Sequence, residues 1–189
     1  MELYFATGNA HKLSEARQIL ESPSIEVLPY EGPEPIESGV SFLANALIKA
    51  RAGFEKTGKT VFADDSGIAV EVMGGSPGIF SAIWSGTRSD AANRQLLLDQ
   101  LKDIPEQNRQ AAFVCTIALV EESGETSFTG VWPGRISFQE SGTNGFGYDP
   151  IFIPEGFEVS AAELESEVKS SISHRAMALT QMASFLEDR

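Results

Sequence analysis

A chain of 189 residues that is 42% hydrophobic has enough apolar side chains for a sizeable core, which excludes a disordered chain and points to one large domain or two small lobes. A formal net charge of −13 argues against non-specific attachment to nucleic acid or to an anionic membrane. A single cysteine excludes an internal disulfide, and one cysteine with two histidines is a poor set for structural zinc.

The opening MELYFATGN has no basic region followed by an apolar run, so no signal peptide is expected. No stretch approaches the roughly 20 apolar residues of a membrane span. ELYFA reads as a short buried strand. TGNAHKLSEARQIL reads as a helix with Leu13, Ala16 and Leu20 on one face. IEVLP is a second strand, and Pro29, Pro33 and Pro35 mark an irregular loop after it. VSFLANALIKARAGF sets Phe42, Ala46, Ala50 and Phe54 at steps of four, with Leu43 and Leu47 beside them, an amphipathic helix. Ser41, Asn45 and Lys49 form a polar stripe along it, readable as a solvated face or as the wall of a cleft.

TVFAD and IAVEV are strand-like, with Asp64 and Asp65 expected at a strand end entering the turn SGI. GGSPG is a turn. Ser89 or Asp90 caps a helix carrying Leu96, Leu97, Leu98 and Leu101, which stops before Pro105. QAAFVCTIALVEE and ETSFTGVWPGRIS flank SG as a long hairpin, with Cys115 as a small buried hydrophobe. SAAE at Ser160 to Glu163 fits a capping box before a short helix. A last helix holds Leu179, Met182, Ala183 and Leu186 at helical spacing, with Ser173 as its cap. Interleaved helices and strands predict an α/β fold.

One motif invites a wrong turning. GFEKTGKT, residues 53–60, fits the phosphate-binding G-x-x-x-x-G-K-[ST] pattern, and VFADD follows it. A working loop of that kind follows a strand and opens a helix. Here a helix pattern precedes Gly53 and a strand pattern follows Lys59, so the stretch reads as a helix end with Gly58 just past it.

Four other segments point to a ligand. FATGNAHK is a strand, a turn and a helix start, where Thr7, Asn9, the first helical amides and Lys12 suit an anion, although an ordinary helix cap has the same form. Asp64 and Asp65 suit a divalent cation, although two adjacent carboxylates at a strand end also fit a solvated turn. GTNGFGYDPIF alternates glycines with aromatic faces that suit a flat ring, or a hairpin turn with core aromatics. KSSISHR places Lys169, His174 and Arg175 around the start of the last helix, where cations oppose the helix dipole unless an acceptor is present. Together the parts suit a nucleoside triphosphate with Mg²⁺.

FATGNAHKLSEA, FADDSGIAVEVMGGSPGIFSA, GFGYDPIF and KSSISHR resemble, in order, the signature blocks of the inosine/xanthosine triphosphate pyrophosphatase family, also called Ham1-like. Small departures are Ile68 where the family usually has Leu, Asn144 where Gly is frequent, and Ala176 where Gly is common. The resemblance implies a single domain over residues 1–189, an elongated two-lobed α/β fold on a long mixed sheet with flanking helices and the active site in the cleft between the lobes. It implies a cytoplasmic homodimer that hydrolyses dITP, ITP or XTP to the monophosphate and pyrophosphate, with Mg²⁺ and without binding nucleic acid polymers or membranes. By motif, Thr7, Gly8, Asn9, Ala10, His11 and Lys12 would hold the triphosphate, and Ser66 would touch the substrate. Asp65 would be the catalytic base and a metal ligand, with Glu37 as the other metal carboxylate. Phe146, Gly147, Tyr148, Asp149, Lys169, His174 and Arg175 would form the nucleoside side. The rival readings are a Maf-like nucleotide pyrophosphatase with another base preference and a non-catalytic nucleotide sensor.

Overall fold

The computed structural model describes residues 1–188. The elements in chain order are β1 (Glu2–Phe5), α1 (Ala10–Leu20), β2 (Glu26–Pro29), α2 (Phe42–Thr57), β3 (Val61–Val70), α3 (Asp90–Gln100), β4 (Gln110–Glu121), β5 (Gly124–Ile136), β6 (Phe152–Pro154), α4 (Ser166–Ile172) and α5 (His174–Glu187). The six strands form one sheet in the order β2-β1-β3-β4-β5-β6. It is mixed: β1 runs parallel to β2 and β3, with Phe5 opposite Phe62, and β6 runs antiparallel to β5. β4 and β5 are neighbours joined by two residues, a connection that only an antiparallel hairpin permits.

The chain divides into two compact units. The first comprises Met1–Asp65, Cys115–Gly130 and the C-terminal helix from His174; the second comprises Ser66–Val114 and Val131–Ser173. In the first unit, strand alternation sorts the core. Leu3, Phe5, Phe62, Cys115, Ile117 and Leu119 pack with Ala16 and Leu20 of α1 and with Leu179, Met182 and Leu186 of α5. Their neighbours in sequence, Ala6, Val61, Ala63, Ala118 and Val120, pack instead with Ala46 and Ala50 of α2. The rings of Phe5 and Phe62 stack at 4.3 Å between centroids. In the second unit Phe113, Trp132 and Phe152 form an aromatic cluster. Nearby, the buried Arg109 guanidinium donates to the carbonyls of Leu101, Ile136 and Ser137, tying the end of α3 to the end of β5.

Several expectations change. β3 runs unbroken through Ser66 and Gly67, so Asp64 and Asp65 lie inside a strand and not at a turn. Glu71–Met73 form a single 3-10 turn after it. The Ser160 amide does donate to Glu163 Oε2 at 2.8 Å, but this bond closes a turn; the next helix begins at Ser166. Ser173 ends α4 and directly precedes α5. Gly58 ends α2 in the left-handed region, φ 62°, and Gly53 is buried inside that helix, so no phosphate loop exists there. Among the described residues no helix is long and apolar enough to cross a membrane.

Phe62 is the centre of the α1/α5 side of this core. Phe62→Ala should lower unfolding stability by about 3–5 kcal/mol, read as a shift of the denaturation midpoint. A change below about 1 kcal/mol would contradict the packing.

Candidate active site

Adjacent side chains of a strand point to opposite faces. Asp64 therefore shares the parity of Phe62 and faces α1 and α5, while Asp65 shares that of Val61 and Ala63 and faces α2. Both are buried, at 2% and 8% exposure, which rules out a solvated turn.

Asp64 Oδ2 accepts from Lys12 Nζ at 2.9 Å and from Arg175 Nε at 3.4 Å, and the Cys115 thiol lies 3.8 Å from the same oxygen. Arg175 also donates to Glu15 Oε2 at 2.7 Å. Burial alone would raise the Asp64 pKa. Lys12, Arg175 and Lys49 together outweigh it and hold the carboxyl well below the usual carboxylate range. The same burial, reinforced by the Asp64 charge, pushes the Cys115 thiol far up, so it stays a protonated donor.

Asp65 has the opposite setting. Its Oδ2 accepts from Asn45 Nδ2 at 3.0 Å, and Lys49 Nζ lies 4.0 Å from Oδ1. Burial raises its pKa; Lys49 and Asn45 pull it down, Glu37 and Asp64 add to the rise, and the net direction is up. Lys49 Nζ also meets Glu37 Oε1 at 2.5 Å, so one ammonium lies between the two carboxylates expected to hold metal. The polar stripe of α2 is thus no solvated face at Asn45 and Lys49, which turn inward to Asp65. The Gly39 amide donates to Asn45 Oδ1 at 2.8 Å and fixes its amide against Asp65.

At the start of α1 the bonds are largely those of a helix cap. Asn9 Oδ1 accepts from the amides of His11 and Lys12 at 2.9 and 3.2 Å, and Thr7 Oγ1 accepts from the Asn9 amide. The Gly8 amide donates elsewhere, to Glu34 Oε1 at 3.0 Å. A carboxylate of the chain itself thus stands where an anion was expected. A small cavity of about 110 Å³ there is lined by Thr7, Gly8, Tyr30, Glu34 and Lys49.

The remaining expected residues divide between the units. His174 and Arg175 open α5 in the first unit, both buried. Lys169 lies in α4 of the second unit and not at the start of the last helix. The dipole mismatch is accordingly confined to α5, where Asp64 and Glu15 supply the acceptors for Arg175. Lys169 Nζ pairs with Asp149, whose Oδ2 also accepts from the Phe146 amide at 2.7 Å. Phe146 is 40% exposed, and Lys169 Nζ lies 5.3 Å from its ring centroid. Tyr148 is instead a core residue whose hydroxyl donates to the Ser81 carbonyl at 2.8 Å. Ser66 is half-buried in β3, directly after Asp65. Sequence reading paired Asp64 with Asp65 for a divalent cation; the structure instead puts them on opposite faces and gives Asp64 to Lys12 and Arg175. Sequence reading also left Asn45 and Lys49 without roles and missed Glu15 and Glu34. The parity rule applied to an unbroken β3 would have separated the two aspartates.

A family model described as the Ham1 family matches residues 3–185. A dITP/XTP pyrophosphatase of Leifsonia xyli subsp. xyli is 52% identical over 98% of this chain and 96% of its own length. One from Mycobacterium tuberculosis is 46% identical over 94% of this chain and 91% of its own. A HAM1 protein of Coxiella burnetii superposes with a TM-score of 0.94 at 37% identity, covering 100% of both chains. A nucleoside-triphosphatase, dITP/XTP pyrophosphatase, of Mycobacterium abscessus gives 0.81 at 47% identity over 96% of this chain and 98% of its own.

The two aspartates should leave opposite marks on stability in metal-free protein. A carboxyl depressed below its unfolded value of about 3.9 contributes stability that is present above that pH and lost on acidification towards the folded pKa. Asp64→Asn should therefore flatten the acid limb below about pH 4 and cost about 3 kcal/mol at neutral pH, because buried cations lose their counter-charge. A carboxyl raised above its unfolded value instead loses stability as pH climbs through the folded pKa. Asp65→Asn should be neutral or stabilising at pH 7. Denaturation midpoints across a pH series check both, and an unchanged acid limb in Asp64→Asn would refute the first.

Proposed function

The chain belongs to the Ham1 family, and from that membership we propose that it hydrolyses the deaminated purine nucleoside triphosphates dITP, ITP and XTP to the nucleoside monophosphate and pyrophosphate. It is thus a hydrolase of phosphoric anhydrides that cleanses the nucleotide pool. The observation that carries this reading is the opposite setting of two adjacent carboxylates, one locked in its ionised form against Lys12 and Arg175, the other raised in pKa beside Asn45 and Lys49. Environments that push two pKa values apart assign an anchor and a base.

Asp65 is the base. Its carboxylate would take a proton from the water that attacks the α-phosphorus. Asn45 holds Oδ2 by a hydrogen bond and so fixes the carboxylate plane. Lys12, aligned by Asp64, and the Gly8 amide bear on the phosphates and on the charge that grows on departing pyrophosphate. Thr7, Asn9, Ala10 and His11 shape the turn that presents them. Glu37 and Asp65 would hold Mg²⁺. The fit rests on Lys49, whose ammonium already lies between these two carboxylates, an oxygen pair suited to a hard cation. When bound, Mg²⁺ supplies neutralisation of phosphate charge and a more acidic water.

By family resemblance Ser66 would touch the substrate, and Phe146, Gly147, Asp149, Lys169, His174 and Arg175 are assigned to the nucleoside side; Tyr148, expected there too, is held in the core by the Ser81 carbonyl. Lys169 and Arg175 only donate hydrogen bonds, which suits the 6-oxo group of hypoxanthine and xanthine and not the 6-amino group of adenine. A homodimer in the cytoplasm, implied by the family resemblance, completes the proposal.

A panel of nucleoside triphosphates with Mg²⁺, with both products identified, tests the reading. The expected result is pyrophosphate plus monophosphate from ITP, dITP and XTP, with ATP a poor substrate. Orthophosphate with a diphosphate as primary products overturns it, and binding without turnover makes the protein a sensor. Asp65→Asn should keep the fold and lose more than nine-tenths of kcat/KM, a barrier rise above about 1.4 kcal/mol; retained activity would remove Asp65 from the role of base.

A further inference from the structure

The loop Gly145–Asp149 exposes one aromatic ring, Phe146, between two glycines in the left-handed region, φ 77° at Gly145 and 60° at Gly147. Glycine backbone is intrinsically the least restricted, and ordering it on binding would cost affinity. Gly145 has no room for a side chain: a Cβ there would lie 2.2 Å from Asp149 Oδ2. That carboxylate fixes the near side of the ring by accepting the Phe146 amide. The far side is held by groups from α3 that the proposed chemistry does not use. Asp90 Oδ2 accepts from the Gly147 amide at 2.8 Å, and Arg94 donates through one terminal nitrogen to the Gly147 carbonyl, also at 2.8 Å. The N–H and the C=O of one glycine are thus both taken by side chains four residues apart, which share a helix face. Arg94 is itself steadied by Glu140, 3.0 Å from its Nε.

We propose that Asp90 and Arg94 are positioning residues for base recognition: by gripping both polar groups of Gly147 they fix the Phe146 ring as a preformed surface for a purine. This rests on the reading of Phe146 as the surface against which the base lies. They touch Gly147 and act through it. Loss of the grip frees the loop, weakens nucleotide binding through the base, and leaves the phosphate end unchanged.

The test uses the full chain with Mg²⁺ and steady-state kinetics on ITP and ATP, alongside binding of inorganic pyrophosphate by calorimetry. Phe146→Ala is the reference. It should raise KM for ITP by about tenfold, the range of base–aromatic stacking, with little change in kcat. Asp90→Ala and Arg94→Ala should each raise that KM several-fold, leave kcat within about twofold and leave pyrophosphate affinity unchanged. Asp90→Asn, which keeps an acceptor oxygen, should restore most of the loss. Combining Asp90→Ala with Phe146→Ala should add little to Phe146→Ala alone, since both act through one ring. Should Asp90→Ala fail to fold, Arg94→Ala decides, because it leaves the first turn of α3 intact. If Phe146→Ala leaves KM unchanged, the stacking reading itself is wrong. If Phe146→Ala raises KM and both α3 variants do not, or if their effects add in full to that of Phe146→Ala, the positioning role is overturned.

Discussion

The two-residue period of β3 is the constraint on which the site depends. A strand cannot present neighbouring side chains on one face, so an adjacent pair of carboxylates in an unbroken strand must serve two environments. Asp64 goes to the α1/α5 side and meets cations; Asp65 goes to the α2 side and meets an amide and one lysine. The difference in their proton affinities follows from this geometry alone, with the same side chain at both positions. A turn at Ser66, as the sequence suggested, would have released both to solvent and erased the difference.

Burying an ion is costly, and the Asp64 cluster offsets that cost by numbers. One carboxylate faces Lys12 from α1 and Arg175 from α5, and Arg175 closes back on Glu15 of α1. A buried ion pair is often no more stabilising than a well-packed apolar set, whereas an ion left without its partner is strongly destabilising. What the cluster provides is placement. It fixes Lys12 and the first turn of α5 relative to β3, and it explains how a helix can carry Arg175 in its first turn against its own dipole.

Much of the fold was legible because its signals are local. Periodicity gave α1, α2, α3 and the β4–β5 hairpin, and the inverted order of helix and strand disposed of the phosphate-loop match at Lys59. The failures share a cause. Ser66 and Gly67 look like a turn in isolation, but both stay in the ladder of a strand flanked by β1 and β4. The Ser160 amide donates to Glu163 without a helix to cap, because pairing across four residues needs only a turn, and the Ser160 hydroxyl goes to the Ser141 carbonyl instead. The site was legible as a set of residue types and not as pairings. Asn45 and Lys49 could have faced water until β3 was known to lie beneath α2, and Glu34 reaches Gly8 across 26 residues that carry no periodic signal.

Each charged part of the proposed site already carries a counter-charge from the chain. Glu34 engages the Gly8 amide, Lys49 lies between Glu37 and Asp65, and Asp64 holds Lys12. Binding a metal–triphosphate here is therefore an exchange of ionic partners. In the proposed site a phosphate would have to displace the Glu34 carboxylate, and a cation would compete with the Lys49 ammonium for the same oxygens. Exchange lowers the net gain from each contact, since a bond is broken for each one made.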